Sequence, residues 1–164
     1  MSLVLHELTS YSENLFVMLP RIISLSNAIF SAEPGSKHAS LALWQERLSY
    51  TSSVIVYLVP ESSPNDPVAF MFAYPRSHSI PLSGGEHESL HIWLAGVLPG
   101  MRRAGCLSRM IHELDLTPLL TVCTIPQRFP DMWRWLTSRG WVVIRDLGEG
   151  KVMLERRTPA HPLH

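Results

Sequence analysis

The residues from Val97 to Ser108, Val-Leu-Pro-Gly-Met-Arg-Arg-Ala-Gly-Cys-Leu-Ser, join an apolar strand-like run to an amphipathic helical pattern. A small residue at such a joint lets the main chain turn tightly, so that the first free N–H groups of the following helix point at one spot. Phosphate suits such a cradle, because a helix N-terminus favours negative charge by roughly 0.3–1 kcal/mol in exposed settings. Arg102 and Arg103 stand beside it with charge-assisted donors. In the helix, Leu107, Met110, Ile111 and Leu114 repeat on one face and Ser108, Arg109, His112, Glu113 and Asp115 occupy the other. Of the two further arginines, Arg103 is better placed for a phosphate than Arg109. The turn is therefore a candidate phosphate site.

A second constellation lies just upstream. His87-Glu88-Ser89-Leu90-His91 spells His-Glu-x-x-His, the pattern in which two histidines ligate zinc and the glutamate activates water. That chemistry needs a helix to bring both rings to one metal. Here Gly84-Gly85 precede the motif, and Ile92-Trp93-Leu94-Ala95-Gly96-Val97 with Pro99 follow it, which predicts a strand. In a strand the two rings would stand roughly 13 Å apart, too far for one zinc. A zinc hydrolase is the rival enzyme reading, and the expectation is that no metal is bound.

The elements that must hold these groups follow from periodicity and breakers. Leu3 to Leu8 reads as a strand; Ser10 or Ser12 with Glu13 offers a helix cap. Leu15, Met18, Leu19, Ile22, Ile23 and Ile29 keep helical period, with Pro20 either kinking that helix or opening it. Glu33-Pro34-Gly35-Ser36 breaks the pattern, and Leu41, Trp44, Gln45 and Leu48 give a second helix ending near Tyr50. Val54–Val59 and Val68–Tyr74 predict an antiparallel hairpin, followed by a loop from Pro75 to Ser89 and a strand Leu90–Val97. Leu119–Thr124 reads as a buried strand. Pro130 with Asp131 opens a helix closed by Gly140, and Trp141–Asp146 and Lys151–Arg157 flank a turn at Leu147-Gly148-Glu149-Gly150.

With 164 residues and 46% hydrophobic composition the chain suits one ordinary domain, expected over residues 1–157, with a frayed tail at 158–164. Lys plus Arg and Asp plus Glu are 14 each, leaving no net field to gather nucleic acid or an anionic membrane surface. No apolar run reaches membrane-spanning length, and the two cysteines, Cys106 and Cys123, form no disulfide framework. A soluble, cytoplasmic protein is expected.

In this order of elements, the segment resembles motif A of the GNAT superfamily of acetyl-CoA-dependent N-acetyltransferases. Val97, Pro99, Arg102 and Gly105 match its Val-x-Pro and Gln/Arg-x-x-Gly-x-Gly/Ala pattern, while Leu107 stands where the family has Gly or Ala. The resemblance covers roughly Leu3 to Arg157. It implies an α/β GNAT fold: a mixed, mostly antiparallel sheet with a central splayed parallel strand pair, Leu90–Val97 and Leu119–Thr124, and helices on both faces. It implies acetyl-CoA as acyl donor, without metal, held by Ala95, Gly96, Val97, Leu98, Pro99, Arg102, Arg103, Ala104, Gly105, Cys106, Leu107 and Ser108. Backbone groups of Ala95 to Val97 would polarise the thioester, with Gly96 allowing close approach.

Transfer to an amine needs a base. His91 stands where a branch of the family has a Glu, with Glu88 and Glu86 as alternatives, and Trp93 shares its strand face as an acceptor-pocket residue. The family's usual Tyr, four residues before the Gly that closes the penultimate helix, is replaced by Leu136. The implied activity is acetyl transfer to a primary amine of a small molecule or peptide, the rival class being a non-catalytic acyl-CoA-binding module. The acceptor, the acyl-chain preference and the oligomeric state, a homodimer included, are left open.

Overall fold

The computed structural model describes residues 2–31 and 38–158. The break expected at Glu33-Pro34-Gly35-Ser36 and, apart from Thr158, the expected tail lie outside the described residues. The elements run β1 (Leu3–Leu8), α1 (Leu15–Phe30), α2 (Leu41–Ser49), β2 (Val54–Pro60), β3 (Ala69–Ser77), β4 (Glu88–Val97), α3 (Cys106–Glu113), β5 (Leu119–Thr124), α4 (Pro130–Ser138), β6 (Val142–Gly148) and β7 (Lys151–Arg157). The strands form one seven-stranded sheet in the order β1-β2-β3-β4-β5-β7-β6. The pair β4–β5 is parallel, with Leu90, His91 and Ile92 opposite Leu120, Thr121 and Val122. The ladders β1–β2, β2–β3, β5–β7 and β6–β7 are antiparallel. The expected α/β class with a parallel pair inside a mostly antiparallel sheet is thus the observed one.

The chain packs as two compact units, Met1–Tyr74 with Leu94–Leu114 and Pro75–Trp93 with Asp115–His164. In the first unit, β2 and β3 are apolar on both faces because helices cover them. Trp44 of α2 lies against Phe70 and Phe72, ring centroids 6.1 and 5.2 Å apart, and α3 packs on β2. Helix α1 begins after Asn14 rather than at Ser10 or Ser12; Ser12 instead accepts the Thr9 amide through its hydroxyl at 2.9 Å. Pro20 sits inside α1, which is continuous through it. Ser40 caps α2 by accepting the Leu43 amide at 3.2 Å. In the second unit, Leu82, Leu119 and Met153 form a small core flanked by Cys123 and Ile144.

The loop expected from Pro75 to Ser89 is shorter than that. Pro75, Arg76 and Ser77 finish β3, Glu88 and Ser89 begin β4, and the His78 amide donates to the His87 carbonyl at 2.7 Å. Pro75 lies beyond the β2–β3 ladder, whose last pair is Val54 with Ala73, so it removes no donor from that ladder. The consequence is chemical: Arg76 and Ser89 become strand residues beside His91.

Candidate active site

The turn after β4 is built as the sequence predicts. The Leu98 amide donates to Val68 O at 2.9 Å, a 3-10 turn covers Pro99–Met101, and Gly105, with φ +76°, is the N-cap of α3. A Cβ at Gly105 would meet nothing within 4 Å, and Arg102, Arg103, Ala104 and Gly105 are all exposed. The amides of Cys106, Leu107 and Ser108 lie in the first turn of the helix, where no intrahelical carbonyl can accept them. Left-handed backbone, open space, first-turn amides and two exposed guanidinium groups fit a phosphate or pyrophosphate. Arg109 is committed elsewhere, donating to Leu3 O at 2.8 Å.

Two details differ from the sequence reading. Cys106, not Leu107, joins Met110, Ile111 and Leu114 on the buried face, and Leu107 is half-buried. Cys106 donates weakly to Met101 O at 3.7 Å, and burial pushes its thiol up from the usual range, so it is a packed side chain, not a nucleophile. Gly96 is bare for a packing reason. A Cβ there would lie 2.9 Å from Ile29 Cδ1 and 3.2 Å from Phe70 Cε1, so α1 and β3 occupy its side-chain space. Ala95 is half-buried and Val97 buried.

His91 is 3% exposed and both of its ring nitrogens have partners. Arg76 Nη1 lies 3.1 Å from Nε2, and Thr121 Oγ1 lies 2.8 Å from Nδ1. Guanidinium can only donate, so Nε2 accepts, the ring is neutral, and the proton sits on Nδ1 and is donated to Thr121. Thr121 Oγ1 is 2.7 Å from Ser89 Oγ, which is 2.7 Å from His78 Nε2. With each hydroxyl donating into the chain, the line runs Arg76, His91, Thr121, Ser89, His78 and points one way throughout. Burial, with the nearby Arg76 and Arg145, holds the His78 imidazole below its usual pKa, in keeping with a neutral terminus. Arg76 also reaches Cys123 Sγ at 3.8 Å.

The other sequence candidates fall outside this line. Glu88 is exposed at the first position of β4, and Trp93 is half-buried on the same strand face as His91. Glu86 is an unsuitable base: Arg157 donates to both of its carboxylate oxygens and holds it down to about 2. Leu136 is buried, at 2% exposure.

The same geometry does not favour the zinc reading. The His-Glu-x-x-His segment runs into a strand rather than a helix; His87 Nδ1 donates to His78 O at 3.2 Å, and His91 Nε2 is held by Arg76. Among the described residues no group of three or more His, Cys, Asp or Glu is placed to hold a metal.

Sequence reasoning did not find Arg76, His78, Ser89 or Thr121. A signal was present: Tyr74, Arg76 and His78 continue the period-two alternation of β3, as Ser89 and His91 do in β4. Pro75 hid it by reading as a loop residue.

No protein-family sequence model matches this chain, and no curated protein matches it in sequence. Solved structures do. A chain of the NatC complex bound to Gag peptide and CoA superposes with TM-score 0.70 at 15% identity, over 96% of this chain and 99% of that one. Aminoglycoside 6'-acetyltransferase type Ii gives 0.70 at 13% identity, over 97% and 99%. An acetyltransferase of the GNAT family from Staphylococcus aureus gives 0.67 at 10% identity, over 95% and 100%. The chain has the GNAT fold.

Proposed function

We propose that this protein is an N-acetyltransferase that moves the acetyl group of acetyl-CoA to a primary amine on a small molecule or peptide. The observation that carries the reading is the turn from Val97 to Ser108, an open, left-handed, doubly basic cradle at the start of α3. It is supported by a fold shared with acetyltransferases, one solved with CoA. The amides of Cys106 to Ser108 and the guanidinium groups of Arg102 and Arg103 hold the pyrophosphate. Backbone groups of Ala95, Gly96 and Val97 hold the arm and polarise the acetyl carbonyl.

The thioester supplies an activated acyl carbon: the amine nitrogen bonds to it, the carbon–sulfur bond breaks, and the sulfur leaves with the electron pair. His91 takes the amine proton, with Glu88 as its alternative, and Trp93 walls the acceptor side. No hydroxyl stands at Leu136, so the leaving thiolate takes its proton from water, which its ordinary pKa near 8.5 allows.

The test joins acetyl-CoA-induced thermal stabilisation with thiol release across an amine panel. Stabilisation with thiol release upholds the reading. Stabilisation without release from any amine replaces it with a non-catalytic acyl-CoA-binding module, and no stabilisation removes the turn as a nucleotide site.

A further inference from the structure

Arg76 is a half-buried cation with no counter-charge. Its contacts are the neutral Nε2 of His91 and the sulfur of Cys123, and among the described residues no carboxylate pairs with it. Of the other half-buried arginines of this unit, Arg156 pairs with Asp115 at 3.2 Å and Arg145 donates to the Pro81 carbonyl at 2.9 Å, whereas Arg76 meets neither a carboxylate nor a carbonyl among the described residues. Withdrawing guanidinium from water without an anion is costly, and the planar fork of five donors is shaped for a carboxylate or phosphate. Its position on His91 matters equally. While Arg76 donates to Nε2, the ring has no lone pair free, because Nδ1 carries the proton given to Thr121.

We propose that Arg76 selects an acceptor amine carrying an anionic group, and that this group, by drawing the guanidinium off Nε2, frees His91 to act as the base. The inference rests on the acetyltransferase reading and adds the acceptor class to it. The proton balance closes along residues already in line. The amine proton goes to His91 Nε2, the Nδ1 proton to Thr121 Oγ1, the Thr121 hydroxyl proton to Ser89 Oγ, and the Ser89 proton to His78 Nε2. His78 then releases its Nδ1 proton to water, leaving every group neutral. An acceptor without the anion leaves Arg76 on the base, so selectivity appears in turnover as well as in binding.

The experiment compares matched acceptors: L-amino acids against their amides, and O-phosphoethanolamine against ethanolamine, read by thiol release. In the native protein the anionic member of at least one pair should have kcat/KM higher by about tenfold or more, the worth of one charge-assisted hydrogen bond. The pair that discriminates tells carboxylate from phosphate. Arg76→Gln keeps a donor for Nε2 but no charge, so the preference should vanish, the anionic acceptor falling towards its neutral partner; Arg76→Lys should retain part of it. A readout independent of turnover is the ¹⁵N signal of His91 Nε2, which the preferred anionic acceptor should shift in the native protein and not in Arg76→Gln. Thiol release with equal rates for both members of every pair overturns the proposal, as does Arg76→Gln lowering both members equally in a folded protein. Acetyl-CoA stabilisation without release from any amine overturns the parent reading, and this inference with it.

Discussion

Gly105 lies in the proposed cofactor turn and Thr121 beside the proposed base, and each lends itself to a substitution whose result has a sign. At Gly105 a side chain would meet open space but not comfortable backbone, since φ is +76°. Gly105→Ala should therefore cost about 1 kcal/mol, the price of a left-handed residue, and leave most acetyl-CoA stabilisation in place. Gly105→Glu adds a charge where the pyrophosphate is proposed to sit; the expected outcome is a folded protein whose melting temperature no longer responds to acetyl-CoA. Thr121 is fully buried and links His91 to Ser89. Thr121→Val keeps the shape and strands the Nδ1–H of His91, which should cost about 1–3 kcal/mol by denaturant midpoint and lower turnover, while Thr121→Ser restores both. A Thr121→Val protein of native stability and turnover would remove the hydrogen-bonded line from the mechanism.

At the scale of elements, one ion-paired cluster ties the β3–β4 connection to β7. Arg157 donates to Glu86 and Glu155, and Ser83 donates to Glu155. Glu86 is lowered from 4.5 to about 2 by its bonds to Arg157. A carboxylate depressed in the folded state contributes stability above its unfolded pKa and loses it as pH falls through the folded one. The melting-temperature gap between the native protein and Glu86→Gln should therefore be constant above about pH 5, then close as pH falls from 4.5 towards about 2. A gap that widens in acid would place the stabilisation elsewhere.

The same region marks where the sequence stops being legible. β1, β5 and β7 have the predicted bounds, and the Pro130 and Gly140 punctuation of α4 is where it was expected, because short-range period and breakers determine these. Pro75 concealed two strand ends, since a local breaker was overridden by pairing with β4. The turn at Gly105 into α3 was visible because its signal is contiguous. The line from Arg76 to His78 was not, because it depends on register across β3, β4 and β5, and nothing in the spacing of residues 76, 91 and 121 records that they meet.

For the whole molecule, the sheet order puts β7 between β5 and β6. Six residues of β5, from Leu119 to Thr124, pair with β7 from Arg157 back to Val152, and β6 reaches the sheet through β7. A chain ending before Lys151 should lose the fold of the second unit, seen as loss of protection from hydrogen exchange at Leu119–Thr124. Exchange protection of β5 surviving that truncation would show that β7 is dispensable for it.

This placement also governs how the chain is made. As the polypeptide leaves the ribosome, β5 emerges with one flank unpaired and stays so while α4, β6 and the following turn are synthesised. Through that interval Leu119, Leu120 and Val122 present an apolar strand edge able to pair with a neighbouring nascent chain. Aggregation during synthesis, rather than instability of the finished protein, is then the hazard to which β7 is the natural remedy, and slowing elongation between β5 and β7 should raise the insoluble fraction.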